Sequence, residues 1–177
     1  MTELEAKIQL SREEVSRLRK RLKELNARHD KLRLEKHYYF DFPDERLWKE
    51  DKVLRLKEFL GKKLLTFKGP LLKGTFKKRA EYQLFIEDKH ALVKLFEGIG
   101  LKKLFFFSKL RQKFFLPSVT EITLDKIIGL GYFMEVEAKT PLAIKKVLRR
   151  LGIDFKRSTK KSYSQLIREL REKTRIK

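Results

Sequence analysis

No cysteine occurs among the 177 residues, which excludes disulfides and thiolate metal sites. Histidine is scarce: His29, His37 and His90 show no metal-ligand spacing, and His37, beside Tyr39, is read as structural, with a place at the edge of an inner cavity as the alternative. Asparagine occurs once, at Asn26; with cysteine absent and Lys, Arg and Glu abundant, the usage resembles that of thermophile proteins. No apolar run approaches the roughly 20 residues of a membrane-spanning helix. The start, Met1-Thr2-Glu3-Leu4-Glu5, puts acids where a signal peptide needs a positive segment and an apolar core, so a cytoplasmic, non-membrane protein is expected. Glycine-rich nucleotide loops are missing as well. Gly69-Pro-Leu-Leu-Lys-Gly74-Thr75 lacks the Lys-Ser/Thr pair of a phosphate loop, and Gly98-x-Gly100 and Gly129-x-Gly131 lack a third glycine.

Charge is what the chain has in excess. Lys and Arg number 45 against 24 Asp and Glu, a net charge of +21. Such a balance selects anionic partners (nucleic acid, a membrane surface or phosphorylated small molecules) without choosing among them. Hydrophobic residues at 41% suffice for a core, and no linker, repeat or low-complexity block divides residues 1–177, so one domain is expected.

Residues 1–10 alternate between Glu3/Glu5/Lys7 and Leu4/Ala6/Ile8, the period of a strand. Ser11 and Glu14 then form a capping-box pattern ahead of Val15, Leu18, Leu22 and Leu25 at helical spacing. Further strands are predicted at 32–41, 52–59, 63–68, 77–87, 104–114, 118–125 and 132–139. Helices are predicted after Asp88 (Ala91, Leu92, Leu95, Phe96, Ile99), after Thr140-Pro141 (Ala143, Ile144, Val147, Leu148, Leu151), and from Ser162 onward. Leu47-Trp48 reads as the anchor of a hairpin or loop, and Phe105-Phe106-Phe107 as core.

The expected fold is α+β: eight antiparallel strands and about four helices. Strand after strand carries charge on one face. These faces are Glu3/Glu5/Lys7, Arg55/Lys57, Thr66/Lys68, Lys77/Arg79/Glu81, Lys109/Arg111/Lys113, Glu121/Thr123/Asp125 and Glu135/Glu137/Lys139. One such strand is an ordinary solvated sheet face. Seven in a sheet of eight strands are different, because a sheet of that width tends to curl or close. With helices packed on the apolar outside, closure gives a β-tunnel, a closed or nearly closed barrel with a charged interior. Ions enclosed there need water, partners or a charged ligand. Hard carboxylate oxygens suit Mg²⁺ or Mn²⁺, and Lys and Arg suit the phosphate oxygens of a metal-bound anion.

Glu3-x-Glu5-x-Lys7 at the start of the first strand resembles the ExExK signature of the CYTH superfamily, the triphosphate tunnel metalloenzymes. Other elements follow in the family's order: Tyr39-Phe40-Asp41 (YFD), Leu54-Arg55-Leu56-Lys57 (LRxR, with Lys for the second Arg) and Thr66-x-Lys68-Gly69-Pro70 (TxKGP). Then come Arg79-x-Glu81, with Gln83 where a further Glu is frequent, and Lys109-x-Arg111. Leu124-Asp125, Gly129-Leu-Gly-Tyr-Phe-Met-Glu135-Val-Glu137 and Ser162-Tyr163-x-x-Leu166 complete the series. YFD, TxKGP and GLGYFMEVE are most similar to the class IV adenylyl cyclase-like branch.

The resemblance implies that Glu3, Glu5, Glu135 and Glu137 hold the divalent metal, helped by Asp125 and Glu81. It implies phosphate clamping by Lys7, Arg55, Lys57, Lys68, Arg79, Lys109 and Arg111, and a catalytic set of Glu3, Glu5, Lys7, Glu135 and Glu137. Lys77, Lys113 and Lys139 are expected at the tunnel mouths. The implied reaction is conversion of ATP to cyclic AMP and pyrophosphate. The alternative is hydrolysis of inorganic tripolyphosphate, thiamine triphosphate or a nucleoside triphosphate. A non-catalytic nucleic-acid-binding protein is a third reading, supported by Lys145-Lys146, Arg149-Arg150 and Lys160-Lys161; the acidic pairs at both ends of the chain oppose it as the main function. The resemblance also allows a homodimer.

Overall fold

A computed structural model describes residues 2–117 and 121–175. The strands are β1 (Thr2–Leu10), β2 (Arg28–His29), β3 (Arg33–Asp41), β4 (Val53–Phe59), β5 (Lys62–Lys68), β6 (Lys77–Phe85), β7 (Lys102–Phe115), β8 (Glu121–Ile127) and β9 (Gly131–Glu137). The helices are α1 (Arg12–Glu24), α2 (Arg46–Lys49), α3 (Lys89–Gly98), α4 (Pro141–Arg150) and α5 (Tyr163–Arg175), with a 3₁₀ turn at Phe155–Arg157.

All strand pairings are antiparallel, in the order β2-β7-β3-β4-β5-β6-β1-β9-β8, and a β7–β8 ladder closes the ring. Closure depends on the length of β7. Its 14 residues pair with β3 through Lys102–Arg111 and with β8 through Lys109–Phe114, so one strand serves two neighbours in succession. Eight strands form the barrel and β2 adds a short flap to β7.

The alternating pattern sets what lies outside. Ala6, Ile8, Ile122, Leu124, Met134 and Val136 face outward from β1, β8 and β9 and pack against Val15, Leu18 and Leu22 of α1 and Ile144, Val147 and Leu148 of α4. Both helices start as the sequence predicts. The Ser11 hydroxyl accepts from Glu14 N at 3.2 Å and Glu14 Oε2 accepts from Ser11 N at 2.8 Å, while Thr140 Oγ1 accepts from Ala143 N at 3.2 Å. α3 begins at Asp88, whose carboxylate accepts from His90 N and Ala91 N, and lays Phe96 over Phe40, Leu56 and Leu101. Gly100, at φ +89°, takes the chain out of it. α5 packs Tyr163 and Ile167 against Tyr39, Phe107, Ile127 and Phe133.

The architecture agrees with the expected tunnel, and the differences are local. β2 is too short to show a period. α2 has one turn and no apolar stripe; the buried Asp41 carboxylate organises it by accepting from Phe42 N (2.7 Å), Leu47 N (3.0 Å) and Trp48 N (2.8 Å). The predicted strand 118–125 starts at Glu121, its first three positions lying outside the described residues. Lys139 follows the end of β9 and is exposed, away from the lumen. Phe105–Phe107 is core only in part: Phe107 is buried, whereas Phe106 points out.

Leu148→Ala, which truncates a fully buried side chain between α4 and the barrel, should cost about 2–5 kcal/mol in a denaturant titration. Lys146→Ala, on the opposite face of the same helix, should stay within about 0.5 kcal/mol. Equal losses would contradict this packing.

Candidate active site

The inward faces enclose a cavity of about 720 Å³ bordered, among the described residues, by ten Lys/Arg and six Glu side chains. β1 contributes Glu5 and Lys7; β4, Arg55 and Lys57; β5, Lys68; β6, Lys77, Arg79 and Glu81. β7 contributes Lys109, Arg111 and Lys113; β8, Glu121; β9, Glu135 and Glu137. Period two puts successive charges of each strand on the same side, and the ring brings these strands together.

Six of these ions, together with Asp125, form one alternating chain across five strands. Lys77 Nζ lies 2.6 Å from Glu5, Glu5 lies 3.1 Å from Lys7 Nζ, and Lys7 Nζ lies 3.1 Å from Glu135. Glu135 also bonds Arg111, which forks onto Asp125 through Nε (2.7 Å) and Nη2 (2.5 Å). Asp125 then takes Lys109 Nζ at 3.0 Å and the Tyr163 hydroxyl at 2.9 Å. Burial pulls the Lys7 ammonium down, but Glu5 and Glu135 outweigh it and hold its pKa raised. Burial likewise pushes Glu135 up, against the stronger combined pull of Lys7, Arg111, Lys109 and Lys77, which leaves it well below the usual carboxylate range. The opposite balance holds at Lys109, where burial and Arg111 lower the amine despite Asp125.

Other predicted residues are placed around this chain. Lys68 pairs with Glu81 at 2.9 Å across β5–β6, and the Arg79 guanidinium reaches Asp51 at 3.1 Å. Arg55 Nη2 donates to Thr66 Oγ1 at 3.4 Å, and Lys113 bonds Glu121. Glu5 stands opposite Glu137 in the β1–β9 ladder, and Glu3 stands opposite Arg79 in the β1–β6 ladder. Asp125 does not border the cavity. It sits behind Lys109 and Arg111, taken up by three side chains.

Sequence reasoning missed one wall and the floor. β3 turns Arg33, Glu35, His37 and Tyr39 into the cavity. Their period-two spacing was visible, but the inward set passes from Arg33 and Glu35 to His37 and Tyr39 and the outward set includes Lys36, so neither face reads as uniformly charged or apolar. Glu35 is fully buried; burial raises its pKa, but His37, Lys109 and Arg111 bring it far below the ordinary range. His37 Nε2 is 3.3 Å from Glu35 Oε2 without hydrogen-bond geometry, and burial holds the ring neutral, stacked on Phe107 at 4.9 Å. Tyr163 forms the floor, with Lys7 Nζ 4.3 Å and Lys109 Nζ 4.9 Å from its ring centre. The preceding segment ties down the same end: Thr159 N donates to Lys7 O at 2.8 Å and Lys7 Nζ donates to Lys161 O at 3.3 Å.

The donor set fits a hard divalent cation. Glu5, Glu135 and Glu137 face the cavity from adjacent strands, and Mg²⁺ takes only one or two carboxylates when phosphate oxygens and water supply the rest. Among the described residues no group of three His, Asp or Glu forms a ready cage, because the carboxylates are engaged with Lys and Arg.

A closed antiparallel barrel with a cation-rich, carboxylate-bearing lumen defines a tunnel for a small polyanion. The CYTH domain pattern matches residues 1–163, and the chain belongs to this family of triphosphate tunnel enzymes. It is 27% identical over 175 residues to a Methanocaldococcus jannaschii protein named "Putative adenylate cyclase", covering 94% of this chain and 98% of that one. The PH1819 protein of Pyrococcus horikoshii superposes with a TM-score of 0.79 at 29% identity over 94% of this chain and 98% of its own. The Hippeastrum protein HpAC1, described as a "putative adenylyl cyclase" with a dominant triphosphatase activity, shares the fold at a TM-score of 0.72 and 18% identity over 94% of this chain and 95% of its own.

Lys57 yields a pH prediction. Among the described residues its ammonium makes no ion pair; it lies 4.6 Å from the Phe59 ring centre. Burial brings its pKa down to about 7, with Arg55, Arg111 and Lys109 adding repulsion and Glu35 opposing. A bound polyanion favours the charged form, so binding above pH 7 takes up a proton. Metal-free tripolyphosphate affinity should therefore fall between pH 7 and 9 by up to about tenfold per unit beyond the ligand's own titration. Lys57→Arg, charged throughout, should remove that excess slope. Identical calorimetric pH profiles for the two proteins would refute the assignment.

Proposed function

We propose that this protein is a divalent-metal-dependent enzyme that binds a triphosphate in the tunnel and breaks a P–O–P bond, with water as the first-choice nucleophile. The observation that carries this reading is the ring of ten cations and six carboxylates around one cavity. A triphosphate with its metal answers both signs at once. The metal, when bound, supplies Lewis-acid polarisation of a phosphoryl oxygen.

The chain's own residues do the rest. Glu5 and Glu137, facing each other, hold the cation with Glu135 beside them, and Glu3 joins from the same strand as Glu5. Lys7 and Arg111, relieved of part of their carboxylate partners, turn to phosphate oxygens. Arg55, Lys57, Lys68, Arg79 and Lys109 clamp the remaining oxygens, and Lys77 counters charge on the leaving diphosphate. Asp125 acts as the fixed counter-ion that aims Lys109 and Arg111, rather than as a metal ligand, and Glu81 holds Lys68.

Hydrolysis asks for no base site beside the triphosphate, whereas cyclisation does: Phe59 carries Arg33 and Lys57 and Tyr163 carries Lys7 and Lys109, which leaves the exposed Tyr82 at the cavity border as the ring open to a base. Cyclisation of ATP, with the ribose 3′-oxygen attacking the α-phosphorus and pyrophosphate leaving, is the second reading. It draws on the name of the Methanocaldococcus relative, which matches along nearly its whole length.

Incubation with tripolyphosphate or ATP and Mg²⁺ or Mn²⁺, followed by chromatography, should show orthophosphate and diphosphate from tripolyphosphate; cyclic AMP from ATP would move the assignment to the cyclase. Glu137→Gln should lower metal-dependent turnover at least about a hundredfold with an unchanged circular-dichroism spectrum. Glu5→Gln should do the same and also destabilise the fold, because Lys7 and Lys77 lose a shared buried counter-ion. Full turnover in both variants would sink the metal assignment.

A further inference from the structure

The tunnel does not account for the charge of this chain. Its lining holds ten Lys/Arg against six Glu, a small excess beside the net +21. Much of the remainder lies on one outer face. α4 exposes Lys145, Lys146, Arg149 and Arg150 and carries no acid. α1 beside it exposes Arg12, Arg17, Arg19, Lys20, Arg21 and Lys23. Between them runs an open groove of about 480 Å³, whose cations are Arg17, Lys20, Arg21, Arg149 and Arg150 and whose acids are Glu14 and Glu24.

Both acids are already engaged. Glu24 pairs with Arg21 at 3.1 Å, and Glu14 pairs with Arg157 at 2.6 Å. Arg21 is further committed, its Nε donating to Arg150 O at 3.0 Å and pinning the two helices together. Arg17, Lys20, Arg149 and Arg150 make no ion pair among the described residues. Four unengaged cations thus border one groove, held on two helices whose other faces are locked into the core.

We propose that this α1/α4 face is a second polyanion-binding surface, which docks the phosphate backbone of duplex nucleic acid independently of the tunnel. Three features select that partner. The cations are dispersed along two helices rather than converging on a point, which suits a line of phosphates more than a single small anion. No large aromatic side chain is exposed on either helix, so the face lacks the stacking platform of single-strand binders. The apolar residues of both helices are buried against the barrel, with only Leu142 strongly exposed, so the face lacks the apolar stripe that interfacial helices insert into lipid. Recognition by phosphates alone would be independent of sequence.

The test is fluorescence anisotropy of a labelled 20-base-pair DNA duplex against the intact protein, titrated between 50 and 200 mM KCl. Replacing Arg17, Lys20, Arg149 and Arg150 together with Gln should weaken binding by on the order of a hundredfold and make the log–log salt slope shallower by about 3 to 4. A control replacing Lys36, Lys62, Lys102 and Lys103 with Gln removes the same charge from exposed strand positions away from α1 and α4 and should shift the slope by less than about 1. Because all substitutions are at exposed sites, both variants should keep the wild-type melting temperature and tunnel activity. A second readout uses the unaltered protein: the duplex should protect Lys20, Lys145 and Lys146 from acetylation while Lys36 and Lys102 stay reactive. Equal losses in the two variants, uniform protection, or wild-type protein that binds anionic vesicles but not the duplex would overturn the proposal.

Discussion

An antiparallel sheet that closes with its charged face inward obliges each lumenal ion to find a partner or to give up charge more readily, as Lys57 does, because an unpaired ion away from water costs several kcal/mol. Here the obligation is met by the chain from Lys77 through Glu5, Lys7, Glu135, Arg111 and Asp125 to Lys109. These seven side chains come from β6, β1, β9, β7 and β8, and they cross the β7–β8 seam where the barrel closes. The same contacts that neutralise the lumen therefore hold the ring shut. Cations shared between carboxylates can be drawn onto another anion without leaving either side wholly unpaired, which makes the arrangement suited to ligand exchange.

Much of this was legible from residue order alone. Strand periodicity identified β1, β4, β5, β6, β7, β8 and β9 and put on their inward faces most of the Lys, Arg and Glu side chains that border the cavity, because alternation is a local property. The capping residues Ser11, Asp88 and Thr140 marked helix starts for the same reason. What could not be read depends on contacts between distant segments. Asp125 looks like any other lumenal acid in sequence; only the convergence of Lys109, Arg111 and Tyr163 shows it turned into the wall. The β3 residues Arg33, Glu35, His37 and Tyr39 alternate too, but with Lys36 on the outer face and His37 and Tyr39 on the inner one neither face stands out as charged or apolar. Lys139 continued the β9 alternation on paper, whereas the strand stops at Glu137.

The division of labour between the two surfaces of the barrel follows from the same pattern. Outside β1, β8 and β9 the apolar face is covered by α1 and α4, whose own outward faces are then free to carry charge at little cost. Inside, charge is expensive, and six carboxylates offset more than half of the ten cations among the described residues. A net charge as large as +21 is tolerable because most of it sits where water screens it.

Tyr163 and the segment before it tie α5 to the lumen. The phenol packs on Phe133 at 5.3 Å, with Phe107 and Ile167 in the same buried cluster. A change that loosens α5 would therefore be felt in the lumen, because the residue that packs the helix against Phe133 is the same one whose ring carries the ammonium groups of Lys7 and Lys109.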